Sequence, residues 1–276
     1  MILGGGLPTQ IGDKLVGRIY SVGCAPGGHL DEAVAQARLE TIGAQQMTRM
    51  RLAIMTAVAL ASAAANLHAP WARAQVAPSQ SEIVLYSPLL RAAHNNDART
   101  IVQAIAGGAN PNLRDGAGRA AVHIAAYASA YDAMQALVRE GADIRAMDSQ
   151  KYDVITIAAV KNDVRMVELA VRLGGDPKAI TSPYEGTALI AAAHLGHVEV
   201  VKALINAGAP LDHVNNLHWT ALIEAVVLGD GGANHLETVR ALVAAGASKS
   251  ITDRNGLTPL ANAEARNYEA MIELLR

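Results

Sequence analysis

Small and aliphatic residues recur after residue 86 in two short, alternating patterns. Residues 187–209 read TALIAAAHLGHVEVVKALINAGA and hold one copy of each. Thr187 can cap a helix by accepting a backbone N–H, and the run through Ala192 and Ala193 closes where Gly196 allows a left-handed conformation. His197 restarts the chain. Val198, Val201, Leu204 and Ile205 then fall on one side of a second helix that ends at Gly208, with Glu199 three residues before Lys202 on the outer side. Helices this short are marginal alone in water, so the pair must stack on copies of itself.

The copies are present. Helix-opening segments read SPLLRAA from 87, AAVHIAA from 120, DVITIAA from 153, TALIAAA from 187, TALIEAV from 220 and TPLANAE from 258. The closing glycines Gly108, Gly141, Gly174, Gly208 and Gly246 are 33, 33, 34 and 38 residues apart. Two independent markers that keep step, with a period near 33, identify a repeat array. From Ser87 to the last residue the chain resembles the ankyrin-repeat family, best in Thr258-Pro259-Leu260, in Gly196-His197-Val198-Glu199-Val200-Val201 and in Gly-Ala pairs such as Gly208-Ala209. The resemblance implies an all-α solenoid of stacked helix-turn-helix units joined by short β-hairpin or turn connections. Ala120 and Asp153 replace the opening Thr, Gly175 replaces the Ala of the Gly-Ala pair, and the fifth unit carries a five-residue insertion. The two cap substitutions are expected to weaken their caps.

The segment before the array reads differently. Residues 47–74 combine a basic start (Arg49, Arg51), an apolar run from Leu52 to Ala65 and a small-x-small exit at Ala72-Arg73-Ala74. That order is the pattern of a cleavable secretory signal, with cleavage expected between Ala74 and Gln75. The run is about 14 residues, short of the roughly 20 a spanning helix needs. A signal begins a protein, so translation is expected to start at Met47 or Met50. Residues 1–46 are then an upstream extension, disordered or weakly helical. Residues 75–86 form a short polar leader, with folded structure expected from Ile83 or Ser87 and the array filling 87–276.

Composition narrows the function. The chain has one cysteine, Cys24, and no Phe. An internal disulfide and a cysteine zinc site are therefore excluded. Of 23 Lys and Arg, six precede residue 75, and of 25 Asp and Glu, four do; the remaining 17 and 21 give a net charge of -4. A mildly acidic array without a basic stripe is a poor nucleic-acid binder. No catalytic motif is present: G-x-S-x-G, H-E-x-x-H and a phosphate loop are all missing. His194, His197, His213 and His218 cluster in or beside the fourth unit. Gly196 interrupts the helix between the first two, so the reading is structural, with no cofactor and no metal. The insertion at 230–234 has one carboxylate, too few oxygens for Ca²⁺, and is expected to be a flexible glycine loop.

The resemblance also implies where function lies. Ankyrin-repeat proteins bind partners through the concave side, built from hairpin tips and the exposed ends of first helices. Carried onto this chain, those positions give Tyr127, Tyr152, Tyr184, His194, Leu195, Asn216, His218, Trp219, Leu228 and Arg254 as candidate contacts. Tyr127, Tyr152, Tyr184 and Trp219 would line one groove, and aromatic residues are enriched at binding hot spots. Trp219 packing within its own hairpin is the competing structural reading. His123, at the His place of the second unit, is implied to bond nearby backbone. The expected product is a monomeric, non-enzymatic bacterial module that binds a protein in the periplasm, without a stable membrane span. A secreted effector that binds a host protein and a metal- or small-molecule-responsive module are the alternatives.

Overall fold

All six expected opening positions stand at the N-cap of a first helix. The computed structural model describes residues 8–11, 14–18 and 75–276. The signal segment, Ala74 and most of residues 1–46 lie outside the described residues. The chain divides into two units, residues 1–69 and 70–276. In the first, strands β1 (Pro8–Ile11) and β2 (Lys14–Arg18) pair antiparallel with a register shift between Thr9 and Gln10.

The second unit is a helical solenoid. Its leader is more ordered than the sequence suggests, because Ser79 caps helix α1 (Gln80–Val84) and exchanges hydrogen bonds with Glu82 in a reciprocal capping box. Six helix pairs follow: α2 (Pro88–His94) and α3 (Ala98–Ala106), α4 (Ala121–Tyr127) and α5 (Tyr131–Arg139), α6 (Val154–Val160) and α7 (Val164–Arg172). After them come α8 (Ala188–His194) and α9 (Val198–Asn206), α10 (Ala221–Val227) and α11 (Ala233–Ala244), α12 (Pro259–Ala265) and α13 (Glu269–Leu275). First helices form one row, α2–α4–α6–α8–α10–α12, and second helices stack behind them.

The caps show which substitutions matter. Ser87, Thr187, Thr220 and Thr258 accept the N–H three residues on at 3.1–3.4 Å. Asp153 does the same for Thr156 at 2.8 Å, so this departure from Thr keeps its cap, contrary to expectation. Only Ala120 lacks one. There His123 Nδ1 accepts the Ala120 N–H at 2.8 Å, which leaves Nε2 as the protonated nitrogen, donating to Ala146 O at 2.8 Å. Burial pushes the His123 pKa down, as a neutral, doubly bonded imidazole requires.

The five closing glycines adopt φ between +80° and +98°, where any other residue is strained. Gly175 is glycine for a different reason. A Cβ there would lie 2.9 Å from Ala170 O and 3.1 Å from Ile155 Cδ1.

Packing follows the small residues. Ala125, Ala126, Ala158, Ala159, Ala192 and Ala193 are fully buried and let first helices approach closely. Ile124, Ile157, Leu189 and Leu222 fill the seams between them, and Ile101, Leu137, Leu204 and Leu242 close the second row. Each such side chain contributes about 1.5–3 kcal/mol on burial. Glu199 and Lys202 pair at 2.9 Å on the outside, as their spacing predicts.

The insertion is not a flexible loop. Compared with the fourth unit, the connection between helices grows from three residues to five, and the second helix from nine to twelve. The five extra residues are thus absorbed mostly by α11. Asp230 pins what remains, accepting from Gly232 N at 2.8 Å and bonding His235 Nδ1 at 2.9 Å. Tyr268 reaches back from the sixth unit to Gly229 O at 3.1 Å.

Candidate partner-binding groove

The inner face is built from the ends of first helices and the tips of the connections. Four tips share one lock. Oδ1 of Asp115, Asp148, Asn215 and Asp253 accepts the N–H groups two and four residues ahead, all at 2.9–3.0 Å. These short polar side chains reinforce the backbone turn bond that the carbonyl of the same residue accepts from the N–H three residues ahead, and so fix each tip. The connection between the third and fourth units has an extra residue and uses other means: Thr181 N donates to Gly186 O at 2.7 Å, and Ser182 Oγ accepts from Tyr184 N.

Neighbouring tips are laced together. Arg114 donates to Met147 O at 2.7 Å, Asn216 Nδ2 to Pro183 O at 3.2 Å, and Arg254 to Asn216 O at 3.1 Å. Asn216 and Arg254 are exposed, yet both already join one tip to the next. His218 is an exposed residue at φ +66°, and Trp219 is half-buried behind it.

Between the third, fourth and fifth units the inner face opens into a cavity of about 290 Å³. Tyr152, Tyr184, His194, Leu195 and Leu228 line it, half of the ten candidate contacts. Tyr152 is a wall of this cavity, being 5% exposed; Leu228, 38% exposed, stands at its open side. Burial, then the neighbouring Tyr184 and Asp148, pushes the Tyr152 pKa up to about 12, so its phenol stays neutral. Tyr127, Asn216, His218, Trp219 and Arg254 lie outside the cavity lining. The Tyr127 hydroxyl is buried without a hydrogen-bond partner, and burial raises its pKa.

Sequence reasoning passed over the polar centre of this cavity. Glu224 occupies a helix position held by Ala191 in the fourth unit and by Ile157 in the third, and it is buried. Its Oε1 accepts from Asn215 Nδ2 at 3.1 Å and its Oε2 lies 3.1 Å from His194 Nδ1. Asn262 and Asp253 repeat the tip-to-helix clasp one unit on, at 3.1 Å. The available signal was a polar residue inside an otherwise aliphatic helix. Lys161, which closes α6, donates to Ala126 O, Tyr127 O and Ser129 Oγ, where a cation suits the end of α4.

The histidines of the fourth unit serve separate contacts. His194 meets Glu224, His197 Nδ1 bonds Ala159 O at 2.9 Å, and His213 Nε2 bonds Glu185 O at 2.6 Å. Among the described residues no group of three or more His, Cys, Asp or Glu could hold a metal ion. No described helix is long and apolar enough to cross a membrane. A cavity at the small end of the ligand-site range, with apolar walls and one buried carboxylate, suits one or two side chains of a partner.

Comparison with known proteins agrees with this architecture. The family model for ankyrin repeats (3 copies) matches residues 89–179 and 155–253. The ankyrin repeat protein YahD of Escherichia coli (strain K12) is 32% identical over 187 residues, covering 67% of this chain and 92% of the relative. The glycerophosphocholine phosphodiesterase gde1 of Schizosaccharomyces pombe is 30% identical over 96 residues, 35% of this chain and 8% of that enzyme. A segment that small carries no activity across. The crystal structure of an ankyrin repeat domain from Acinetobacter baumannii AYE superposes with a TM-score of 0.65 at 38% identity, over 68% of this chain and 95% of that one. The structure of the ankyrin repeat protein EF0377 gives 0.63 at 28%, over 69% and 98%. The period, the caps, the closing glycines and these matches together place the chain in the ankyrin-repeat family.

Proposed function

We propose that this protein is an exported, non-enzymatic module that holds a protein partner in the periplasm through the groove between its tips and first helices. Ankyrin repeats are in general protein–protein interaction modules, and the observation that supports the specific reading is the cavity edged by Tyr184, Leu195 and Leu228. Apolar and aromatic groups at the mouth of a rigid concavity are the elements from which binding hot spots are built. The rigidity comes from the tip locks and the tip-to-tip lacing, which spare a partner the entropy of ordering the site. Export rests on the basic start, apolar run and small-x-small exit of residues 47–74.

Two measurements test the proposal. Mass spectrometry of the protein recovered from the periplasmic fraction should find Gln75 at the amino terminus; an intact residue 1 or a cytoplasmic product would refute export. Capture from periplasmic extract should fall when Tyr184 and Leu228 are both replaced by Ala, with the helical circular dichroism signal unchanged. Undiminished capture would move the partner surface elsewhere.

A further inference from the structure

The leader does not trail away from the array. Gln75 lines the same cavity as Tyr184, His194 and Glu224, and its side-chain Nε2 is buried there without a hydrogen-bond partner. One residue on, Val76 O accepts from Arg119 Nη1 at 2.9 Å. Six residues further, Glu82 Oε1 accepts from Arg119 Nη2 at 2.5 Å. One guanidinium therefore grips both ends of the segment from Val76 to Glu82.

Arg119 is built for that grip. It stands at the tip of the second unit and is only 3% exposed. Its Nε donates to Asp115 Oδ2 at 2.7 Å, and the Tyr86 hydroxyl donates to the same oxygen at 2.9 Å. Burial by itself would lower the Arg119 pKa, but the bonds to Asp115 and Glu82 outweigh it and hold the charge in place. With the leader gone, Asp115 would still pair with Arg119 Nε, but Nη1 and Nη2 would lose their acceptors at the edge of the groove, and unpaired donors there cost free energy.

We propose that residues 75–82 are an intramolecular strap across the inner face, which a partner must displace. Its place shows what the groove recognises. The occupant is an extended stretch, residues 75–79, that runs into the first turn of α1 and offers a carbonyl and a helix-borne carboxylate to Arg119 and a polar side chain to the cavity. An incoming partner of the same chemistry takes over those contacts, and the tethered strap competes with it at the high effective concentration of a short linker. The docking of the strap is independent of the proposed partner function; the competition rests on it.

A photo-cross-linker decides the matter without any partner. In the full chain, p-benzoylphenylalanine replaces Gln75, and the cross-linked peptides are sequenced after digestion. The strap predicts adducts in residues 152–160, 181–195 and 215–228. Arg119→Gln and Glu82→Gln should each lower that yield at least threefold. Glu82→Gln removes no contact within the six helix pairs, so its melting temperature should stay within a degree or two of the parent and exclude unfolding as the cause. Adducts confined to the second helices, no adduct at all, or yields unchanged in both variants would overturn the proposal.

Discussion

Glu224 ties two repeats together, with one carboxylate oxygen on Asn215 of its own tip and the other on His194 of the preceding unit. Both partners are themselves buried or nearly so. Replacing Glu224 by Ala leaves the buried Asn215 amide without this acceptor. A buried polar group left unpaired costs about 1–3 kcal/mol, and Glu224→Ala is expected to lose that much in urea unfolding. Glu224→Gln keeps an acceptor for Asn215 and should lose less. Equal losses would show that the carboxylate charge, not the clasp, is what counts.

The aliphatic seams should dominate stability. Leu204 is fully buried in α9, and Leu204→Ala is expected to cost roughly 2–5 kcal/mol. Because repeats interact with their neighbours alone, hydrogen exchange should rise first in the fourth unit. The exposed Glu199→Ala should shift stability by less than about 0.5 kcal/mol. Comparable losses would contradict a nearest-neighbour stack.

Gly175 offers a steric test. In four other units an Ala fills this place, so consensus would recommend Gly175→Ala. The Cβ would press on Ala170 O and Ile155 Cδ1, and the substitution is expected to lower the melting temperature. A rise would mean that Ile155 yields to make room.

The strap should respond to acid. The Glu82 carboxyl lies below its ordinary value of 4.5, mainly through its hydrogen bonds from Ser79 and with help from Arg119. The Ser79 bonds lie within the leader, so it is the Arg119 contribution that favours the docked state while Glu82 is ionised, and that advantage is lost as pH falls through the lowered value. Cross-linking from position 75 should therefore be constant from pH 7 to about pH 5 and decline below, and the decline should be absent in Glu82→Gln. The groups facing Glu82 are Arg119, Ser79 and, through Arg119, Asp115 and Tyr86. A decline that persists in Glu82→Gln would show that Glu82 is not the group responsible.

Most of the architecture could be read from spacing, because a repeat states each of its rules several times. Thr187 and Gly208 alone are weak signals, but six helix-opening segments and five glycines in step are not. Local chemistry that occurs once was harder to see. Asp153 kept its cap because any short side-chain acceptor suffices, and the insertion became helix because Ala233, Asn234 and His235 prolong α11 once Asp230 fixes the turn. At the groove, Tyr152 was legible as a groove residue but not as a buried one. Glu224 and Arg119 depend on contacts across 30 and 43 residues of chain, with His194 and Val76, which periodicity does not report. The tip locks could have been found from Asp115, Asp148, Asn215 and Asp253, which hold one register place in four units.

A partner held at the groove, as proposed, and one held on the outer helices respond to different substitutions. Quantitative capture from periplasmic extract, with the chain from residue 75 onward as bait, compares three proteins: the parent, Tyr184→Ala with Leu228→Ala, and Glu199→Ala with Lys202→Ala as the outer-face control. The proteins retained by the parent and the control should fall at least tenfold with the groove pair. Equal retention by all three, or loss only with the outer-face pair, would contradict binding at the groove.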